Sequence, residues 1–243
     1  MNRRTLVIGD IHGALKALEQ VLERAKVSGD DLIIFLGDYV DGWSQSPEVI
    51  NFLIEFKTSY NCVFIRGNHD ELCLDWLKNN TQNENWLVHG GQATVNAYAE
   101  VPENIRKIHI NFIESLDDYY LDHKNRLFLH AGFTNIKGVE SEYFSKMFYW
   151  DRSLWEMALA LNPNLHIEDD LYPSRLKLYN EIYIGHTPTV RIGKTVPVNA
   201  ANVWNVDTGA AYKSPLTILD IDTKKYWQSD NVNLLYLGEK GRN

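Results

Sequence analysis

Cysteine is scarce in this chain: Cys62 and Cys73 are the only two in 243 residues. Two thiols build neither a disulfide framework nor a Cys-rich zinc site, and they point to free thiols in a reducing compartment. A surplus of positive charge is lacking as well, with 24 Lys and Arg against 32 Asp and Glu and a formal net charge of −8. Proteins that neutralise nucleic-acid or membrane phosphates carry a basic face, so this balance speaks against both as main partners. An anionic substrate is still allowed, because bound metal ions reverse the local sign. Long hydrophobic runs are also missing. The opening MNRRTLVIGDIHG has too short an apolar stretch for a signal segment, and no window approaches the roughly 20 apolar residues of a membrane span. The expected location is cytoplasmic. What is present is ordinary globular material, 44% hydrophobic and 23% charged, which excludes disorder, a coiled coil or a collagen-like fibre. The length suits a single domain over residues 1–243.

The first 70 residues alternate between two periodicities. Thr5–Gly9 and the LIIFLG run after Asp31 are short apolar segments that end in turns, the signature of buried strands. Between them, Leu15, Leu18, Val21, Leu22 and Ala25 recur at helical spacing over Ala14–Ala25. A second helix is expected over Pro47–Lys57, with Ser46 as N-cap and Pro47 at the first helical position. A third strand follows, Cys62 to Gly67. The unit is βαβαβ, which implies parallel strands whose carboxyl ends collect ligands. Helices are expected over Glu71–Asn79, Gln92–Glu100, Pro102–Leu116 and 152–161, with a hairpin over Tyr119–Leu129 turning at Asp122–Asn125. The last third reads as strands: EIYIG, VWNVD, LTILDI, KKYWQ and NLLYL.

Several of these strands end in polar loops of one character. The first ends Gly9-Asp10-Ile11-His12-Gly13, the second Gly37-Asp38-Tyr39-Val40-Asp41-Gly42, the third Gly67-Asn68-His69-Asp70. Two later strands end His130-Ala131-Gly132 and Gly185-His186-Thr187. Glycine permits tight turns and close backbone approach, so the polar side chains can crowd round one point. Carboxylate, imidazole and amide oxygen suit Mn²⁺, Fe or Zn²⁺ rather than thiol-loving ions. The set of Asp10, His12, Asp38, Asn68, His130 and His186 exceeds what one tetrahedral ion uses, and a central Asp can bridge two ions about 3.5–4 Å apart, the clamp of phosphoester hydrolysis. Singly, each motif is weak: a buried His near a turn is often structural, and Asn68 after Gly67 is an ordinary turn residue. Their order at successive strand ends is what makes a metal site.

The motifs GDIHG, GDYVDG, RGNHD, HAG and GHT, in this order from Gly9 to about Gly209, resemble the phosphoprotein-phosphatase branch of the calcineurin-like metallophosphoesterase superfamily. That branch includes bacterial serine/threonine phosphatases and symmetrical diadenosine tetraphosphatases. The resemblance implies an α/β fold, a β-sandwich of two mixed sheets flanked by helices, with a βαβαβ N-terminal half and a helical cap at about 71–116. It implies two divalent metal ions, Mn²⁺ foremost with Fe or Zn as alternatives. Asp10 and His12 would bind the first, Asp38 would bridge, and Asn68, His130 and His186 would hold the second. A metal-bridging hydroxide would be the nucleophile. His69 would protonate the leaving group, paired with Asp41, since a neighbouring carboxylate favours the protonated ring.

In the same branch two arginines clamp the substrate phosphate. Trp150-Asp151-Arg152 resembles the segment that provides one, which makes Arg152 a substrate-binding candidate. The other directly follows the second Asp of the second motif, and here that position is Gly42. Glycine cannot replace bidentate guanidinium recognition. Trp43 next to it is the second substrate-binding candidate, with an aromatic face for a nucleobase or a phosphotyrosine ring; packing in a lid or core is the alternative. Arg66 resembles a structural position. Trp86 to Thr94 resembles a segment that opens the cap near the substrate groove, where His89 either starts a helix or touches substrate, and Asn205 to Gly209 reads as a strand-end turn beneath the site. The resemblance implies a phosphatase acting on a phosphorylated protein, with a dinucleoside polyphosphate as the alternative substrate. A catalytically inactive binding scaffold is disfavoured because the whole ligand set is present.

Overall fold

In the computed structural model, residues 3–81 and 83–242 are described. The predicted opening forms in order: β1 (Thr5–Ile8), α1 (Leu15–Ala25), β2 (Leu32–Phe35), α2 (Ser46–Phe56) and β3 (Asn61–Phe64). These strands pair in parallel, Ile8 opposite Phe35 and Phe35 opposite Phe64. The middle holds α3 (Asn68–Asn79), α4 (Glu84–Trp86), α5 (Gln92–Ala97) and α6 (Glu103–Glu114), followed by the hairpin β4 (Tyr119–Leu121) and β5 (Arg126–Leu129). Next come α7 (Met147–Trp150), α8 (Ser153–Ala160), α9 (Ser174–Lys177) and β6 (Glu181–Ile184). The last elements are β7 (Val198–Ala200), β8 (Val203–Asn205), β9 (Pro215–Asp220), β10 (Tyr226–Asn231) and α10 (Val232–Leu235).

Two five-stranded mixed sheets result, ordered β10-β9-β1-β2-β3 and β4-β5-β6-β8-β7. Strand periodicity sorts their side chains into three cores. Leu6, Ile8, Ile33 and Phe35 face the helices α1, α2 and α6 in one core. The alternate residues Val7 and Ile34 meet Phe128, Tyr183, Val206 and Leu219 in a second core between the sheets. Leu127, Leu129, Ile182 and Ile184 face α7 and α8 in a third. Each fully buried Leu or Ile of this kind contributes roughly 1.5–3 kcal/mol. The sandwich flanked by helices is therefore the expected one. Its consequence is positional: β1, β2 and β3 of one sheet, and the parallel β5 and β6 of the other, end on the same side.

Three local expectations are corrected. Ser46 does not cap α2; it is the first helical residue, and Gln45 stands at the N-cap without a side-chain bond. Its hydroxyl is taken by the loop, accepting from the Asp41 amide at 3.1 Å and lying 2.9 Å from Thr94 Oγ1. The predicted strand NLLYL is helical, because its apolar residues have helical spacing: Val232, Leu235 and Tyr236 join the first core while Leu234 and Leu237 are exposed. Helix α3 begins at Asn68, three residues earlier than expected, so the third motif forms its first turn. The expected cap segment, 71–116, contributes Cys73, Trp86, Phe112, Ile113 and Leu116 to the same core as β1 and β2. No helix among the described residues is long and apolar enough to cross a membrane.

Candidate active site

The loops after β1, β2, β3, β5 and β6 bring Asp10, His12, Asp38, Asn68, His130 and His186 together, all buried. Ligand atoms of Asp10, His12 and Asp38 lie within 4.8 Å of one another, and so do those of Asp38, His130 and His186. Asp38 is common to both triads. Its Oδ2 is 3.4 Å from His12 Nε2 and 3.4 Å from His130 Nε2. Asn68 Oδ1 joins the second triad, 3.2 Å from His130 Nε2 and 2.9 Å from His186 Nδ1.

The backbone enforces this convergence. His12, Asp38, Asp41 and His186 all have positive φ, between 52° and 74°, a region L-residues avoid unless their surroundings hold them there. The His12 amide donates to Asp38 O at 2.8 Å, and the Asp38 amide donates to Asp70 Oδ2 at 2.8 Å. Asp70 also accepts from the Gly67 and Tyr39 amides, which ties the second motif to the third. The start of α3 points at Asp38, whose Oδ1 accepts from the His69 amide at 2.9 Å. Close approach explains two glycines: a Cβ at Gly67 would run into the Asp38 carboxylate, and one at Gly185 into that of Asp10.

The donor set fits divalent cations. His130 Nδ1 donates to Leu36 O at 2.8 Å and His12 Nδ1 to Val40 O at 3.1 Å. With the second nitrogen deprotonated, this aims the Nε2 lone pairs at the cluster, the outer-shell arrangement of metal-bound histidines. Burial, reinforced by Asp207 and Asp38, pushes the Asp10 carboxyl well up. Burial and Asp38 raise Asp207 to about 6. Burial would raise Asp38 too, but His130, His69 and His12 outweigh it and hold it well below the usual range. Burial, then Arg242, pushes the His12 ring well down, and burial, then His130, does the same to His186. Burial would lower His130 too, but Asp38 outweighs it and raises that ring; an ion bound between the two would take the place of that proton, since metal ligands must be deprotonated.

Residues 3–210 match the sequence profile of the calcineurin-like phosphoesterases. The chain belongs to that family. A 67-residue stretch is 39% identical to the serine/threonine-protein phosphatase PP1-delta of Caenorhabditis elegans, covering 27% of this chain and 22% of that relative. The fold is similar to the crystal structure of a protein described as a diadenosine tetraphosphatase, with a TM-score of 0.65, 18% identity and 95% of each chain covered. It is also similar to a serine/threonine phosphatase of Saccharomyces cerevisiae, with a TM-score of 0.57, 14% identity, and 94% of this chain and 80% of that one covered. At these identities the two structures speak for the fold alone.

Beside this donor cluster, His69 Nδ1 donates to Asp41 Oδ2 at 2.6 Å. Asp41 is fully buried and also accepts from Trp86 Nε1 at 2.5 Å and from Thr94 Oγ1 at 2.6 Å. Sequence reasoning noted the segment from Trp86 to Thr94 but missed that its two ends hold Asp41. The spacing carries no such signal, because the chain kinks between them, with Gly90 at φ +113°.

A cleft of about 680 Å³ opens over Asn68 and His69. Arg152 lines it and donates from Nη1 to Thr187 Oγ1 at 3.0 Å. Arg191 and Arg242 line it too, and sequence reasoning missed both. Burial and these two cations pull the Arg152 pKa down. Trp43 is not in the cleft. Its side chain is 0% exposed, donates from Nε1 to Ala210 O at 2.8 Å and packs on Tyr236 at 5.3 Å between ring centroids. Trp43 therefore offers no face to a substrate, and the core alternative stands. Arg66 holds carbonyls at the end of α6, with Leu116 O at 3.1 Å, as a structural residue would. His89 borders the cleft, where it donates to Asn85 O at 2.6 Å.

Proposed function

We propose that this protein is a phosphoester hydrolase with a dinuclear divalent-metal centre and that its substrates are proteins phosphorylated on serine or threonine. The observation that carries this reading is the pair of buried donor triads sharing Asp38. In it, Asp10 and His12 would hold one ion, Asn68, His130 and His186 the other, and Asp38 would serve both. Bound there, the ions polarise the phosphate and lower the pKa of water.

The protein side chains do the rest. Arg152 binds and orients the phosphate from the cleft wall, where its charge is already crowded by other cations and gains most from an anion. His69 carries the proton for the leaving alkoxide. Asp41 fixes which ring nitrogen is engaged, so Nε2 is the atom free to donate. Thr94 and Trp86 hold the Asp41 carboxylate and keep that ring oriented.

The stretch similar to PP1-delta supports the phosphoprotein substrate. A dinucleoside polyphosphate is the second reading, favoured by a third guanidinium, Arg191, and two aromatic rings, Trp150 and Tyr212, along the same cleft. Turnover of a phosphothreonine peptide, a phosphotyrosine peptide and diadenosine tetraphosphate by the Mn²⁺-loaded enzyme separates them. The phosphothreonine peptide is expected to lead in kcat/KM by a hundredfold or more. An equal lead for the dinucleotide would replace this reading with the second.

A further inference from the structure

The loop Gly42–Gln45 departs most from the expected motif, and each of its residues engages one short segment, 236–242. Gln45 Oε1 accepts from the Tyr236 hydroxyl at 2.5 Å. Ser44 donates from its amide and its hydroxyl to the two oxygens of Glu239, at 3.0 and 2.7 Å. Trp43 packs on Tyr236, and Gly241 passes so close over the Trp43 ring that a Cβ there would lie 2.8 Å from Cζ2. The segment then ends over Gly42. The Arg242 amide donates to Ala211 O at 2.9 Å, and its aliphatic stem lies in a trough between two glycines. A Cβ on Gly42 would stand 3.2 Å from Arg242 Cγ, and one on Gly90 3.0 Å from the same atom. Both glycines stand at positive φ, +97° and +113°, which favours glycine in its own right, and the space they leave is the space this arginine uses.

The guanidinium that the trough delivers is under-used. A guanidinium carries five N–H donors. Nη1 is 3.4 Å from His12 Nε2, long for a hydrogen bond, and the buried Nε has no hydrogen-bond partner among the described residues. The group lies over the Tyr212 ring at 5.7 Å, on the cleft wall with Arg152 and Arg191. Its field reaches the site: Arg242 pulls against the burial-driven rise of Asp10 and Asp207. Three cations sharing one wall, with idle donors at the metal-ligand edge, form a receptor for an oxyanion.

We propose that Arg242 is a substrate-binding residue whose guanidinium takes the non-bridging oxygens of the substrate phosphate together with Arg152, reaching them across the space that Gly42 leaves. The inference rests on the phosphoester-hydrolase reading and adds a phosphate-binding residue that comes from the far end of the sequence. Glycine in the second motif is then a relocation of the guanidinium, not its loss.

The test compares Mn²⁺-loaded wild type with Arg242→Ala and Arg242→Lys, by KM for a phosphothreonine peptide, by the competitive inhibition constant of inorganic phosphate, and by metal content. For Arg242→Ala, both constants are expected to rise together about 10- to 100-fold, the worth of a charge-assisted bidentate contact. Metal content should stay at the wild-type level, and kcat should change less than KM. Arg242→Lys should recover part of the loss, because it restores charge but not the planar fork. Values within twofold of wild type for Arg242→Ala at full metal content would overturn the proposal. Loss of metal without loss of phosphate affinity would overturn it too, and would make Arg242 a neutraliser of Asp10 and Asp207. If the wild type hydrolyses no phosphoester at all, the functional reading falls, and calorimetric titration of the same proteins with inorganic phosphate still decides the role of Arg242.

Discussion

The floor and the wall of the cleft are built in opposite ways. The floor is local: every donor sits within a few residues of a strand end and is buried, and hydrogen bonds lock the loops together, His12 N to Asp38 O and His186 N to the Asp10 carboxylate among them. The wall is assembled from distant segments. Arg152 precedes α8, Arg191 lies in a single turn after the Gly185-His186 loop, and Arg242 arrives after α10. A floor of this kind fixes a chemistry, since moving one ligand moves the backbone of the next. A wall of this kind sets what the chemistry is applied to, and it can change without disturbing the ions.

The sharpest break is therefore expected in the floor. Asp38→Ala removes the one carboxylate common to both triads. It should take metal content from two ions per chain to none detectable by elemental analysis and abolish turnover, whereas retention of one ion would mean that the triads are independent. Next comes His69→Asn, which should lower kcat about 10²- to 10⁴-fold on a phosphothreonine peptide. The loss should shrink with a nitrophenyl ester, whose leaving group needs no proton, and equal losses on both would contradict the role. On the wall, Arg152→Ala should raise KM about 10- to 100-fold and leave metal content intact. A loss of metal there would erase the distinction between floor and wall. The smallest effect belongs to Thr94→Val, which removes one of the donors that hold Asp41. It should cost roughly 3- to 10-fold in kcat, the scale of one hydrogen bond near 1 kcal/mol. The cost should vanish with the nitrophenyl ester, because Thr94 acts only through His69.

This contrast also explains what the sequence makes legible. The parallel strands, the two sheets and the donor set follow from apolar runs that end in Gly-Asp, Gly-Asn and Gly-His, because a strand and its terminal loop are neighbours in the chain. Local signals failed where a distant partner took the group. Ser46 looks like a cap, yet its hydroxyl is drawn to Asp41 and Thr94. Trp43 beside the site looks like a substrate platform, yet Tyr236 and Ala210 hold it in the core. NLLYL has the composition of a strand but spaces its core contacts as a helix. Arg242 carries no motif, and what brings it to the cleft comes from distant parts of the chain: the trough between Gly42 and Gly90, the Ala211 carbonyl and the Tyr212 ring.

The central claim is a two-ion centre that shares Asp38. Its most direct test is a titration of Mn²⁺ into chelator-treated protein, with bound metal counted by equilibrium dialysis and phosphate release from a phosphothreonine peptide followed in the same samples. Binding of two ions per chain, with turnover appearing as the second site fills, is the predicted result. Full turnover with less than one ion per chain, or in excess chelator, would contradict it.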